Sequence, residues 1–288
     1  MRHHGQQSIR ATASPVAEFV AYCGAGRRRV RRAVLSLTCR INEAPVIVLG
    51  NHKSGTSAIA ALLALSAGAT CAIDLIQEER RPTFDKVFKH EASFESLVRR
   101  NRVEFAQDII KEPNLTVLAP MIRQRFPAAR IILVVRDPRE NVRSICNWLG
   151  WPGHLAQLPD RALGELSAVK RLVVTNTWLG LSDSHYITNL AERWSICARI
   201  AQDLDGVVVA RYEDFLQDKA GFVEWLGGQV GLPSAHNVGT AADHQFQPAG
   251  RPAAWDGFFG DNLADLVECC REPMRFLGYD PRAAARSE

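Results

Sequence analysis

The apolar positions along the chain fall into two kinds of pattern. Three short runs are continuous and rich in β-branched residues: Val46-Ile47-Val48-Leu49, Ile131-Ile132-Leu133-Val134-Val135 and Val207-Val208-Val209-Ala210. Continuous runs of this length predict strands buried on both faces, as in a parallel sheet. Asp108-Ile109-Ile110-Lys111-Glu112 predicts a further short strand, stopped by Pro113. Between these runs the pattern turns helical. From Ser57 the chain is rich in Ala and Leu, with no Gly or Pro before Gly68, which predicts a helix. Residues 83–108 place Phe84, Val87, Phe88, Phe94, Leu97 and Val98 on an amphipathic pattern and predict another. Further helices are predicted over 121–126, 139–149, 185–204, 221–230 and 261–277, with loops and short helices over 150–184 and a loop over 234–251. Buried strands alternating with helices predict a single α/β domain over residues 45–282, with a central, mainly parallel sheet flanked by helices on both faces. Residues 1–44 are expected to form a basic N-terminal segment, frayed at its start.

Composition narrows the function classes. The 288 residues are 47% hydrophobic and 23% charged, as in a globular protein with a sizeable core. The net charge of +4 is mildly basic, which suits a polyanionic small ligand and is too weak to argue for nucleic acid. Seven cysteines without a C-x-x-C pair, and no secretory signal, point to reduced thiols and a cytoplasmic setting. Zinc-ligand spacing is absent and no metal is called for. The cluster Arg27-Arg28-Arg29-Val30-Arg31-Arg32 is followed by a short apolar stretch, which favours a solvated helix face over membrane-surface contact.

Candidate chemistry gathers after the strands, where ligands sit in open parallel sheets. The first strand runs into Gly50-Asn51-His52-Lys53-Ser54-Gly55-Thr56-Ser57. A strand, a tight Gly-containing turn and a helix N-terminus make an anion site, because free N–H groups and the positive end of the helix dipole face the turn. Lys53 adds a point charge, and Thr56 and Ser57 add hydroxyls. Lys53 precedes Gly55, so the turn is not a Walker A loop, in which Lys follows the second Gly. The second strand leads to Arg136, with Ser144 eight residues on (144 − 136) in the next helix. An Arg suits a phosphate because its planar fork donates two hydrogen bonds and stays charged. Lys111, Arg136 and Tyr212 also follow strand ends, which places them with Lys53 on one edge of the sheet.

The order Lys53-Ser54-Gly55-Thr56-Ser57 after a buried strand resembles the P-loop-like 5′-phosphosulfate turn of sulfotransferases of the bacterial and glycan type, which use 3′-phosphoadenosine 5′-phosphosulfate (PAPS) and release adenosine 3′,5′-bisphosphate (PAP). Arg136 and Ser144 resemble that family's 3′-phosphate pair. Tyr212-Glu213-Asp214-Phe215 resembles its strand-end segment, which implies that Tyr212 contacts the adenine. Gly250-Arg251, then Trp255, is similar to a loop that closes over the 3′-phosphate, with Arg251 as the contact. Lys111-Glu112-Pro113 resembles a strand-end Lys-x-Pro whose Lys faces the sulfuryl group. The likeness spans roughly residues 45–150 and 205–280 and implies transfer of a sulfuryl group to a hydroxyl or amine of a small-molecule, glycan or lipid acceptor.

Such a transfer needs a group to take the acceptor's proton. Relatives with a His two positions after the Lys are not matched, since Pro113 stands there. Others carry an acidic residue some two dozen positions after the loop Lys. In that window lie Asp74 (74 − 53 = 21), Glu78 and Glu79. Asp74, among Ile73, Leu75 and Ile76, is the expected base and Glu78 the second choice, with Glu78 and Glu79 expected to pair with Arg80 and Arg81. Glu112, His52 and His90 are further candidates. Trp148, Trp151 and Trp178 suggest a partly apolar acceptor pocket. Two other readings stand beside this one. A P-loop phosphoryl transferase would use Asp137 on magnesium but lacks the Gly-x-x-x-x-Gly-Lys loop; a non-catalytic binding protein would keep the nucleotide site without a base.

Overall fold

The computed structural model describes residues 38–181, 185–242 and 254–283. The basic cluster at 27–32 and Arg251 lie outside the described residues. Within the unit Arg40–Glu288, the chain enters through β1 (Val46–Gly50) and α1 (Thr56–Ala67), then β2 (Cys71–Ile73) and the short helices α2 (Ile76–Arg80), α3 (Phe84–Phe88) and α4 (Phe94–Arg100). It continues through β3 (Ile109–Lys111), a 3₁₀ helix over Pro113–Leu118, α5 (Ala119–Arg125), β4 (Arg130–Val135) and α6 (Pro138–Leu149). After α7 (Ala168–Val174) and the long α8 (Tyr186–Asp203) come β5 (Val207–Arg211), α9 (Tyr212–Gln217), α10 (Lys219–Gln229), α11 (Gly239–Ala242), α12 (Trp255–Phe259) and α13 (Asn262–Phe276).

The five strands form one parallel sheet in the order β2-β3-β1-β4-β5. Because side chains alternate across a strand, each strand feeds two cores. Val46, Val48, Ile109, Ile132 and Val134 meet Ile59, Leu62 and Leu63 of α1 and Val223 and Leu226 of α10. Ile47, Leu49, Ile110, Ile131 and Leu133 face the larger core, with Ile122 of α5, Ile145 of α6, Leu190 of α8 and Leu266 of α13. The sheet is thus covered on both sides, which is why its strands read as unbroken apolar runs. From β1 the chain first builds outward on one side, to β2 and β3, then crosses to β4 and β5 on the other. Such a reversal opens a crevice at the carboxyl end of the central strand.

Three sequence expectations need correction. The helix expected over 83–108 is two short helices and a run of turns, because His90 takes a left-handed φ of 59° and Ser93 starts α4 afresh, its side chain accepting from the Ser96 N–H. The edge strand β2 was not expected, since three residues carry no periodicity. Helix α11 lies within the expected loop over 234–251, and α12 precedes the last helix. Among the described residues, no helix is long and apolar enough to cross a membrane.

Candidate active site

The turn 51–55 is shaped by two glycines and held by two distant side chains. Gly50 has a φ of 147°, and a Cβ there would stand 2.4 Å from the Val134 carbonyl oxygen. Gly55, with a φ of 93°, lies under the Tyr212 ring, and a Cβ would meet that ring at 2.2 Å. Thr116 Oγ1 accepts from the Gly50 N–H (2.8 Å) and donates to the Gly50 carbonyl (3.0 Å). From α6, Asn141 accepts from Asn51 Nδ2 (2.9 Å) and donates to the His52 carbonyl (2.8 Å) and Ser54 Oγ (2.9 Å). The N-terminus of α1 has no side-chain cap and no acidic residue in its first turn. Its leading N–H groups therefore face the turn without a competing acceptor, beside the hydroxyls of Thr56 and Ser57.

Cations converge on this turn. Lys53 adopts a φ of 65°. Its ammonium pKa is drawn below the ordinary value by burial, then by Arg136, Lys111 and Lys170. Arg136 leaves β4, donates to the Lys53 carbonyl (3.3 Å), pairs with Glu140 (3.3 Å), and lies 4.9 Å from the centre of the Tyr212 ring. Lys53, Gly55, Arg136 and Tyr212, four of the residues singled out in the sequence, are thus neighbours. Ser144 sits further along α6, half-buried, and does not line the cavity at this edge.

That cavity, of about 310 Å³, is bounded by Lys53, Thr56, Lys111, Arg136, Tyr212 and Trp148. Lys111 closes β3 in this lining and forms an ion pair with Asp74, which sits just past β2 with a φ of 64°. Glu112 is buried; one carboxylate oxygen accepts from the Leu75 N–H (3.1 Å) and the other from the backbone and side-chain N–H groups of Asn114 (2.9 and 3.1 Å). Burial, then the charge of Asp74, push its pKa up to about 7 against the pull of Lys111 and these hydrogen bonds. Glu78 points away from the cavity, fully buried, accepting from Thr83 N–H and Oγ1 (2.6 and 2.8 Å) and pairing with Arg100 (3.6 Å) rather than Arg80 or Arg81. Glu79 does line the cavity, and burial and the Asp74 charge raise its pKa. His90 lines a separate cavity with Val87 and Phe94.

No protein-family model matches the chain, and no curated protein matches it. Solved structures do. Sulfotransferase STF9 from Mycobacterium avium superposes over 91% of this chain and 85% of its own, with a TM-score of 0.55 at 15% identity. A sulfotransferase from Alicyclobacillus acidocaldarius superposes over 83% of this chain and 98% of its own, with a TM-score of 0.52 at 13% identity. The chain has the sulfotransferase fold.

In this sulfotransferase fold, several residues at the site escape a reading of motifs. Asn141 and Thr116 hold the turn from positions 90 and 66 residues away from their partners. Arg193, on α8, is fully buried, donates to Asn114 Oδ1 (3.0 Å), and so backs Glu112. No local spacing marks it. Asn141 lay inside the Arg136–Ser144 stretch, and its amide at the start of a helix facing the turn was the available signal. Of the three tryptophans, Trp148 lines the cavity, whereas Trp151 and Trp178 are buried in the larger core.

Proposed function

We propose that this chain is a PAPS-dependent sulfotransferase acting on a hydroxyl or amine of a small-molecule, glycan or lipid acceptor. The observation that carries the reading is the uncapped N-terminus of α1, set in a sulfotransferase fold with Lys53, Arg136 and Tyr212 gathered around it. An anion is the chemistry these groups suit, because the amides, the dipole and two cations face one space with no carboxylate in the first turn.

When bound, PAPS supplies a sulfuryl group on a phosphate leaving group. Lys53 and the N–H groups of residues 54–57 hold that phosphate and neutralise the charge it gains as the old S–O bond breaks. Arg136, with Arg251, reads the 3′-phosphate, and the Tyr212 ring gives the adenine a flat wall. Lys111 faces the sulfuryl oxygens. Asp74 takes the acceptor's proton as the new bond to sulfur forms, and its ion pair with Lys111 holds the two side chains next to each other. Catalysis here is positioning and electrostatics, without a covalent enzyme intermediate. The six cysteines among the described residues are free, which supports a cytoplasmic setting. A panel of hydroxyl and amine acceptors offered with radiolabelled PAPS tests the reading. Label is expected to move to at least one acceptor class. Magnesium-dependent transfer from ATP would instead establish a phosphoryl transferase.

A further inference from the structure

His52, beside the loop Lys, has a ring nitrogen that nothing among the described residues satisfies. The imidazole lines the cavity and stacks on Trp148, with ring centres 6.0 Å apart and planes 15° from parallel. Trp148 is fixed on its own account, with the Lys170 ammonium 4.8 Å from its ring centre. His52 Nδ1 is closed off from solvent and has no hydrogen-bond partner among the described residues. Nε2 has no hydrogen-bond partner among the described residues, and because His52 is partly exposed and lines the cavity while Nδ1 is enclosed, Nε2 is the nitrogen left to face the cavity.

The charges felt by the ring fix which nitrogen holds the proton. Burial, then Arg193, Lys111 and Lys53, push the imidazole pKa well below its usual value, so the ring carries one proton and no charge. On Nδ1 that proton would be a buried donor without an acceptor, among cations. A lone pair at Nδ1 is favoured by those same cations. The proton therefore sits on Nε2.

We propose that His52 donates a hydrogen bond from Nε2 to an oxygen of the sulfuryl group in transfer. This rests on the sulfotransferase reading. The bond between sulfur and the phosphate oxygen breaks with its electron pair leaving on the phosphate; the bond from sulfur to the acceptor forms; the acceptor's proton goes to Asp74. His52 keeps its own proton throughout. An uncharged donor suits a place already crowded by Lys53, Lys111 and Arg193, where a further cation would repel the others. The stack on Trp148 sets the direction of the N–H before the ligand arrives.

The test compares His52→Phe, His52→Gln and His52→Asn by PAP release from PAPS, with water and with the best acceptor of the panel. PAP protection against heat is measured on each. Phe keeps the stack without a donor and is expected to lose about 10²-fold or more in turnover, with melting temperature and PAP protection as in the wild type. Gln places an N–H near the position of Nε2 and should recover most of the loss; Asn places it near Nδ1 and should not. Wild-type turnover in His52→Phe overturns the inference. So does a His52→Gln enzyme as inactive as His52→Phe, which would make His52 the proton acceptor instead. A wild type protected by PAP that releases none from PAPS also overturns it. Absence of PAP protection in the wild type overturns the sulfotransferase reading itself, and this inference with it.

Discussion

Lys53 is a cation held among cations, and that sets what it can do. Its pKa is lowered by burial and by Arg136, Lys111 and Lys170, so an arriving negative charge relieves a repulsion that folding built in. In the proposed reaction the benefit is greatest where charge develops, on the leaving phosphate. Lys53→Ala is expected to reduce turnover about 10²- to 10³-fold, with a much smaller change in the PAP dissociation constant; turnover within a few-fold of wild type would move the role elsewhere. Asp74→Asn keeps shape and hydrogen bonding but cannot take a proton. It should cost about 10²- to 10⁴-fold in rate at unchanged PAP affinity. Glu112 is different in kind, because its oxygens are already occupied by Leu75 and Asn114. With a folded pKa raised from 4.5 to about 7, it holds its proton in the native state over a range where the unfolded chain has lost it. The folded state then binds more protons, so this group makes stability fall as pH rises from about 4.5 to about 7. The melting temperature of Glu112→Gln should slope less with pH across that window than that of the wild type. An equal slope would assign the titration to another group.

At the level of elements, the strand–turn–helix unit from β1 to α1 depends on close approach. Gly55→Ala would put a methyl into the Tyr212 ring at a φ of 93°. It should cost about 1–3 kcal/mol, seen as a lower denaturation midpoint, and weaken PAP binding as the ring is displaced. This unit was legible in the sequence because all its information is local: a buried run, glycines, then an Ala- and Leu-rich helix. The strands β3, β4 and β5 were legible for the same reason. Strand β2 was not, since Cys71-Ala72-Ile73 becomes a strand only by pairing with Ile109–Lys111. The apolar positions over 83–108 are shared by α3 and α4, and the break at His90 has no Gly or Pro to announce it. Lys53, Lys111 and Arg136 could be picked out because each follows a buried run. Their supports, Thr116, Asn141 and Arg193, could not, because each acts across the fold.

On the scale of the whole molecule, every parallel strand delivers its carboxyl end to one edge, and all five bring a candidate functional residue there: Lys53 after β1, Asp74 after β2, Lys111 at the end of β3, Arg136 after β4 and Tyr212 after β5. A ligand spanning this edge ties strands together and should stabilise the fold in proportion to its fit. PAP is expected to raise the melting temperature, and ATP at equal concentration to do so much less, since it lacks the 3′-phosphate assigned to Arg136. Equal shifts, or a shift that needs magnesium, would favour phosphoryl transfer. The turn proposed to receive the ligand is already fastened by Asn141 and Thr116. Its binding-competent form is therefore the resident one, and little of each encounter is wasted on chains caught in the wrong shape. The nucleotide's arrival should then follow diffusion and the pull of the surrounding cations, quick and sensitive to salt, leaving the length of its stay to decide how tightly it is held.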